Sequence, residues 1–346
     1  MAVVYIADQG ALVCKKNDRL YVYKAQQLLR WFHTKDLAQL ILVGNVALST
    51  PTITYLLKHR IDTVFISYYG KYKGRLIGEF GKNVALRLAQ FDYLAKETNR
   101  EMLANIIVAA KIQNSIALLK KRKPKDDAKS IQATIIKNQA ICDLLKKNTL
   151  PLSSIRGYEG IAAKNYFAVF PELIKNKDFP FNGRNKRPPK DEVNALLSLS
   201  YTFLMNQVMC AAYICGLDVY YGSLHEIDYG RQSLVLDLME EFRPLADNMV
   251  FTLINRKEIR LEHFVYNVLN DEENPEYDPQ NKLLPVSLAN DGMRIIITAF
   301  NKLINTKIAN QDPPGNWSLK DIFALQTRKL ANHFENKKEY SPFVWL

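Results

Sequence analysis

The residue pattern of this chain changes near position 80, and that change limits the fold more than any other feature. Before it, short runs rich in β-branched and aromatic residues alternate with turn residues: Val3–Ile6, Ala11–Cys14, Leu20–Tyr23, Leu40–Val43 and Ile61–Ile66. Runs of this length and composition predict strands, and Lys15-Lys16-Asn17-Asp18 predicts a hairpin turn between two of them. Ser49-Thr50-Pro51 predicts a helix start, because a hydroxyl can cap and proline is tolerated in the first turn. Ile53, Leu56 and Leu57 then share one face, giving a strand–helix–strand unit over Leu40–Ile66. Gly70, Gly74 and Gly78 punctuate its end.

From about Asn83 the apolar residues recur at a helical period: Leu86, Leu88, Phe91, Leu94, Leu103, Ile106, Ile107 and Ala110. Further helices are predicted over Ile131–Lys146, Ile155–Phe170, a stretch capped by Asp191 and running to Cys215, Gln232–Phe242, Leu245–Asn255, Val286–Ile308 and Leu319–Phe334. Asp271–Lys282 is polar, holds two prolines and predicts a loop. The expected class is therefore α+β. A small β-rich N-terminal domain, residues 1–80, precedes a larger all-α C-terminal domain, residues 81–346.

Hydrophobic residues make up 48% of the 346, enough for a normal core, which excludes a largely disordered chain. The net charge of +12, from 47 Lys and Arg against 35 Asp and Glu, points to a polyanionic partner, nucleic acid before membrane. Cys14, Cys142, Cys210 and Cys215 form no CxxC pair, so neither disulfides nor a zinc site is expected and the compartment is read as reducing. No basic leader or cleavage site precedes Val3–Ile6, and no uninterrupted apolar run approaches the ~20 residues of a membrane span. A cytoplasmic protein with no membrane segment is the expectation.

Chemistry concentrates in the second half. Glu159, His225, Asp237 and Glu240 each lie in an otherwise apolar segment that should be buried. Buried carboxylates need partners, and a divalent cation shared with an imidazole would be one. In a basic protein that set points to phosphodiester chemistry. Asp237 and Glu240 are three apart on a predicted helix and share a face, which Glu241 borders, so spacing leaves Glu240 and Glu241 open as ligands. Oxygen donors favour Mg²⁺, and the imidazole widens the choice to Mn²⁺. Each residue also has a purely structural reading: Glu159 at a helix start, His225 bonded to backbone, Asp237 paired with Arg231 or Arg243, Glu240 with Arg243. The runs Lys120–Lys125 and Arg184–Lys190 read as solvated basic loops and as candidates for phosphate contact.

Three segments carry a resemblance: Glu-Gly-x-Ala-Ala-x-x-Tyr-Phe at Glu159–Phe167, Arg-x-Pro-Lys-Asp-x-x-Asn-Ala-Leu-Leu-Ser at Arg187–Ser198, and Gly-x-Leu-His at Gly222–His225, followed by Gly-Arg-x-Ser-Leu-x-x-Asp-Leu-Met-Glu-x-Phe-Arg-Pro at Gly230–Pro244. Together they resemble the CRISPR-associated integrase and endonuclease family, the spacer-inserting subunit of CRISPR adaptation, over nearly the whole chain. Two departures are Glu192, where the family often has proline, and Glu240, where it usually has Asp.

The resemblance implies Mg²⁺ or Mn²⁺ held by Glu159, His225 and Glu240, with Asp237 supporting the same catalytic site. It selects Glu240 over Glu241, so that Glu241→Ala is expected to be mild. It implies that Tyr166, Arg187 and Asn194 lie near the site and position DNA; Arg184 is a DNA-contact candidate only as part of the basic loop. It implies homodimers formed through the β domains, two of them bridged by a dimer of a small ferredoxin-like CRISPR-associated partner. The substrates implied are double-stranded DNA with 3′ single-stranded ends and CRISPR repeat DNA. The reaction implied is attack of a 3′-hydroxyl on phosphodiesters at the repeat ends. Hydrolysis of branched or double-stranded DNA by the same residues is one alternative, and a non-catalytic DNA-binding scaffold is another.

Overall fold

The computed structural model describes residues 2–67, 72–76, 83–124, 128–185, 189–266 and 286–345. Gly70, Gly78, Lys125, Arg187 and the predicted loop Asp271–Lys282 lie outside those residues. The α-helices in order are α1 Thr50–Lys58, α2 Val84–Ala95, α3 Glu97–Arg122, α4 Lys129–Lys147, α5 Leu152–Ala168, α6 Glu192–Cys215, α7 Ser233–Met239, α8 Arg243–Asn255, α9 Asn290–Asn305 and α10 Leu319–Phe334. The strands are β1 Ala2–Ile6, β2 Ala11–Lys16, β3 Arg19–Lys24, β4 Gln27–His33, β5 Leu37–Val43, β6 Val46–Leu48, β7 Asp62–Ile66, β8 Tyr72–Leu76, β9 Phe264–Tyr266, β10 Val286–Leu288, β11 Lys307–Gln311 and β12 Pro314–Ser318. A β-rich N-terminal region is thus followed by a largely helical one. Two compact units form: Met1–Phe80 with Arg187–Thr202 and Ile259–Asn301, and Gly81–Lys186 with Phe203–Glu258 and Lys302–Leu346. The first 80 residues fall together, and two later segments group with them.

The first unit holds two four-stranded sheets, ordered β1-β5-β7-β8 and β4-β3-β2-β6. In the first sheet β1, β5 and β7 are parallel and β8 is antiparallel to β7. In the second, β2, β3 and β4 form an antiparallel meander and β6 adds parallel to β2. Ile6, Val13, Leu20, Val22, Leu40, Leu42 and Leu56 form a core drawn from both sheets and α1. Strand β5 is buried almost throughout, which is why it reads as a continuous apolar run. Strand β4 was not predicted, because most of its residues are exposed and no inward–outward alternation survives. Asn17, at the expected hairpin, has φ +52°, a conformation Asn tolerates better than most residues. Pro51 lies in the first turn of α1, but the Ser49 hydroxyl bonds the Thr52 hydroxyl (2.8 Å) rather than a helix amide. Asp191 caps α6 as predicted, accepting from the Asn194 amide at 2.7 Å.

In the second unit α3 is the central element, packed by α2, α4, α5, α7 and α8. It is apolar on most of its circumference, the pattern of a buried helix. Helices α3 and α6 are long and apolar enough to cross a membrane, but 72% of each apolar stretch is buried inside the protein, as expected of core helices. The predicted helix Gln232–Phe242 is broken: α7 ends at Met239, a 3₁₀ turn spans Glu240–Phe242, and α8 follows with Pro244 in its first turn. A proline there lacks the amide that would continue the earlier helix.

The C-terminal region departs from the all-α expectation. Strands β9 and β10 pair antiparallel, as do β11 and β12. The second hairpin replaces the end of the helix expected over Val286–Ile308. Pro313, Pro314 and Gly315 cannot continue a helix, and the polar flanks Lys307–Gln311 and Pro314–Ser318 conceal the strands.

Candidate metal centre

Four elements of the second unit supply the residues. Helix α3 carries Lys111, α5 carries Arg156 and Glu159, the loop before α7 carries His225, and the continuous stretch of α7, the turn after it and the start of α8 carries Asp237, Glu240 and Arg243. Asp237 is fully buried and organises the loop. Its Oδ2 accepts from the amides of Ser223 (2.5 Å) and Leu224 (3.0 Å), and its Oδ1 from the amide of His225 (3.0 Å). Oδ1 also meets His225 Nδ1 at 2.7 Å. A carboxylate oxygen only accepts, so Nδ1 carries a proton, and Nε2 is the nitrogen that would offer a lone pair when the ring is neutral. Asp237 therefore pairs with neither Arg231 nor Arg243; it fixes His225. Gly222 makes this possible, since a Cβ there would lie 2.5 Å from Asp237 Oδ2 and 2.7 Å from the Ser233 carbonyl carbon.

Arg156 fastens the same loop to α5. Its Nε and Nη2 donate to the Leu224 carbonyl at 2.9 and 2.7 Å, and its Nη1 to Glu226 at 2.5 Å. One turn further along α5, Glu159 points at the Lys111 ammonium, which also reaches Glu240 Oε2 at 2.6 Å. Arg243 Nε closes on the other Glu240 oxygen at 2.8 Å. The i,i+3 pair anticipated between Glu240 and Arg243 exists, but the Glu240 side chain is only 4% exposed. Burial pushes the Glu240 carboxyl up, but Arg243, Lys111 and the nearby His225 outweigh it and bring the pKa down to about 2. For Lys111, burial works against the charge, while Glu240 and Glu159 more than restore it and the pKa is raised.

Glu241 turns the other way. It is fully buried, accepting from the Tyr340 hydroxyl (2.6 Å), the Phe343 amide (2.7 Å) and Gln326 Nε2 (3.3 Å). Burial raises its pKa to about 7 against those hydrogen bonds. Asn114, one turn beyond Lys111 on α3, donates to the carbonyls of Glu241 (2.7 Å) and Phe343 (2.9 Å) and accepts from the Trp345 amide (2.8 Å). The carboxylate that spacing could not separate from Glu240 thus anchors the C-terminal segment.

The other predicted residues fall elsewhere. Tyr166 is buried and donates to Asp247 Oδ2 at 2.9 Å, a core position rather than a surface for DNA. Asn194 is buried in the first unit, bonded to Asp191 at 2.7 and 2.6 Å through its amide and its side chain. Arg184 is half-buried and donates to the Asn185 carbonyl at 2.5 Å. Arg187 lies outside the described residues. Within Lys120–Lys125, the first three residues are the last turn of α3, and Arg122 is bound to Asn248 (2.6 Å) and Thr252 (2.5 Å) rather than solvated. Sequence reasoning missed Lys111 altogether. Its one signal was a lone charge amid the buried run Leu103–Leu119.

Among the described residues, no three His, Cys, Asp or Glu side chains stand together as a ligand set. The donors nevertheless fit a divalent cation. Two carboxylates converge on one cationic atom near an imidazole whose Nδ1 is held by Asp237. Glu240 Oε2 has the Lys111 contact but no hydrogen bond of ordinary geometry. Two oxygens and one imidazole nitrogen suit Mg²⁺ or Mn²⁺.

The fold, β-rich and then largely helical, has counterparts among solved structures. It superposes with a TM-score of 0.81 on a casposase bound to an integration product, at 22% identity over 99% of this chain and 93% of that one. It superposes with a TM-score of 0.80 on a chain of a Cas6-RT-Cas1–Cas2 complex, at 23% identity over 100% of this chain and 36% of that one. A curated relative from Leptospira interrogans, named CRISPR-associated endonuclease Cas1, is 42% identical over 75% of this chain and 99% of its own length. The chain belongs to the CRISPR associated protein Cas1 family, whose family model matches residues 4–302.

Proposed function

We propose that this chain is a metal-dependent DNA integrase and endonuclease of CRISPR adaptation, with Glu159, His225 and Glu240 as ligands to Mg²⁺ or Mn²⁺. The observation that carries this reading is the convergence of Glu159 and Glu240, from distant helical segments, on one cation beside His225 in a member of the Cas1 family. When bound, the ion would polarise the scissile phosphate and offset charge on the departing oxygen. Asp237 holds the imidazole in the tautomer that presents Nε2. Arg156 fixes the loop that bears it, and Arg243 orients the Glu240 carboxylate.

In the reaction we infer, the 3′-hydroxyl of a double-stranded prespacer with single-stranded 3′ ends attacks a phosphodiester at the end of a CRISPR repeat. One P–O bond forms, one breaks, and the 3′-oxygen on the leader side departs. The bonds are alike, so the chemical step needs no ATP. Basic side chains hold the DNA backbone. The β-rich region serves homodimerisation, and a dimer of a small ferredoxin-like partner bridges two homodimers in the cytoplasm. The integration product bound by the structurally similar casposase supports joining. The word endonuclease in the curated relative's name supports hydrolysis by the same residues as a second reading.

The test is strand transfer from a labelled short duplex to a supercoiled repeat-bearing plasmid, with Mn²⁺ or EDTA, comparing wild type with His225→Ala. Metal-dependent joining lost in His225→Ala is expected. Cleavage without joining would favour the hydrolytic reading. No metal-dependent reaction, with equal DNA binding by both proteins, would favour the scaffold.

A further inference from the structure

Lys111 is hard to explain as a core residue. It lies on the buried helix α3 among Ile107, Val108, Ala110 and Ile112, and its side chain is 18% exposed. A lysine in such a place needs partners, and it has two: Glu159 on α5 and Glu240 on the turn before α8. We propose that Lys111 is a placeholder for the divalent ion: its ammonium holds Glu159 and Glu240 together until the ion displaces it, and so tunes the affinity of the site. This rests on the reading of Glu159, His225 and Glu240 as ligands.

Three observations support displacement rather than coexistence. The Nζ atom lies against one oxygen of each carboxylate, a place that an ion shared by the two would contest. A protonated amine has no lone pair, so Lys111 cannot join the ligand set as it stands. The charges also balance without an ion, since two carboxylates face one ammonium and the Arg243 guanidinium. Adding a divalent ion to that balanced group would concentrate positive charge in a buried place; moving the ammonium outward relieves part of it. The flexible four-carbon stem and the partial exposure of the side chain give it a way out. Its contact with Glu240 Oε2 is also not a well-formed hydrogen bond. Arg243 is different: it holds Glu240 Oε1 through Nε at 2.8 Å and remains with it.

The experiment is Mn²⁺ binding to the full-length protein without DNA, followed by electron paramagnetic resonance, for wild type, Lys111→Met and His225→Ala. Lys111→Met should bind Mn²⁺ about tenfold tighter, the equivalent of one charge-assisted hydrogen bond no longer surrendered. It should also melt lower than wild type in EDTA and gain more on adding Mn²⁺. Equal or weaker binding by folded Lys111→Met, with wild-type binding intact and lost in His225→Ala, would overturn the placeholder role alone. No Mn²⁺ binding by wild type would overturn the ligand reading and this inference with it. If Lys111→Met does not fold, amine acylation of the wild type decides the matter. Mn²⁺ should raise labelling of Lys111 severalfold, and unchanged labelling under saturating Mn²⁺ would overturn the proposal.

Discussion

Glu240 and Glu241 are neighbours in sequence whose surroundings push them in opposite directions. Glu240, at about 2 against an ordinary 4.5, contributes stability above pH 4.5 that is lost as pH falls toward 2. Glu241, at about 7, keeps its proton when folded but gives it up near pH 4.5 when unfolded. The folded state then binds more protons than the unfolded one, so stability falls as pH rises from 4.5 to about 7. Glu241→Gln should remove that fall, seen as a flatter denaturation midpoint across the interval than in wild type; parallel curves would contradict the assignment. Glu241→Ala, expected from sequence to be mild for strand joining, leaves the Tyr340 hydroxyl and the Phe343 amide unpaired and should cost about 3 kcal/mol of stability. Glu159, His225, Asp237 and Glu240 were singled out in the sequence because charged residues stood out in apolar segments. Lys111 could not be tied to them, because only the packing of α3 against α5 and the turn before α8 brings it there.

At the level of elements, the loop before α7 acts as a clasp. Its backbone amides close on Asp237, its Leu224 carbonyl on Arg156, and Gly222 allows the approach. Gly222→Ala should cost about 2 kcal/mol by overpacking and weaken Mn²⁺ binding about tenfold by shifting Asp237 from His225, read by thermal melting and metal titration. Asp237→Asn, which loses the charge that accepts three backbone amides, should weaken Mn²⁺ binding by about 10-fold to 100-fold while helical content is kept. The long helices were legible from their period and caps. The 3₁₀ turn at Glu240–Phe242 was not, since one tightened turn leaves the apolar pattern unbroken and yet turns Asp237, Glu240 and Glu241 toward three different partners. The hairpin β11–β12 was concealed by its polarity.

For the molecule as a whole, the change of pattern near residue 80 was readable because a period of two and a period of 3.6 are distinct signals. The grouping of residues 187–202 and 259–301 with the first 80 was not, since it rests on tertiary contacts between distant segments. The family match ends at residue 302, yet the chain returns after it: Tyr340, Phe343 and Trp345 are buried, tied to Glu241 and Asn114. Removing residues 340–346 should therefore lower the melting temperature markedly, with an unchanged value counting against that anchoring role. The charge of +12 predicts DNA binding that weakens steeply with salt, with a log–log slope near −0.9 per phosphate neutralised on duplex DNA.

The proposed chemistry requires Glu159, His225 and Glu240 to form one divalent-ion site. Crystals grown with Mn²⁺, measured at the manganese absorption edge, test it most directly. An anomalous peak within coordination distance of all three side chains, with the Lys111 ammonium moved away, is the expected result. A peak elsewhere, or Lys111 still bridging the two carboxylates at saturating Mn²⁺ with no peak between them, would contradict it.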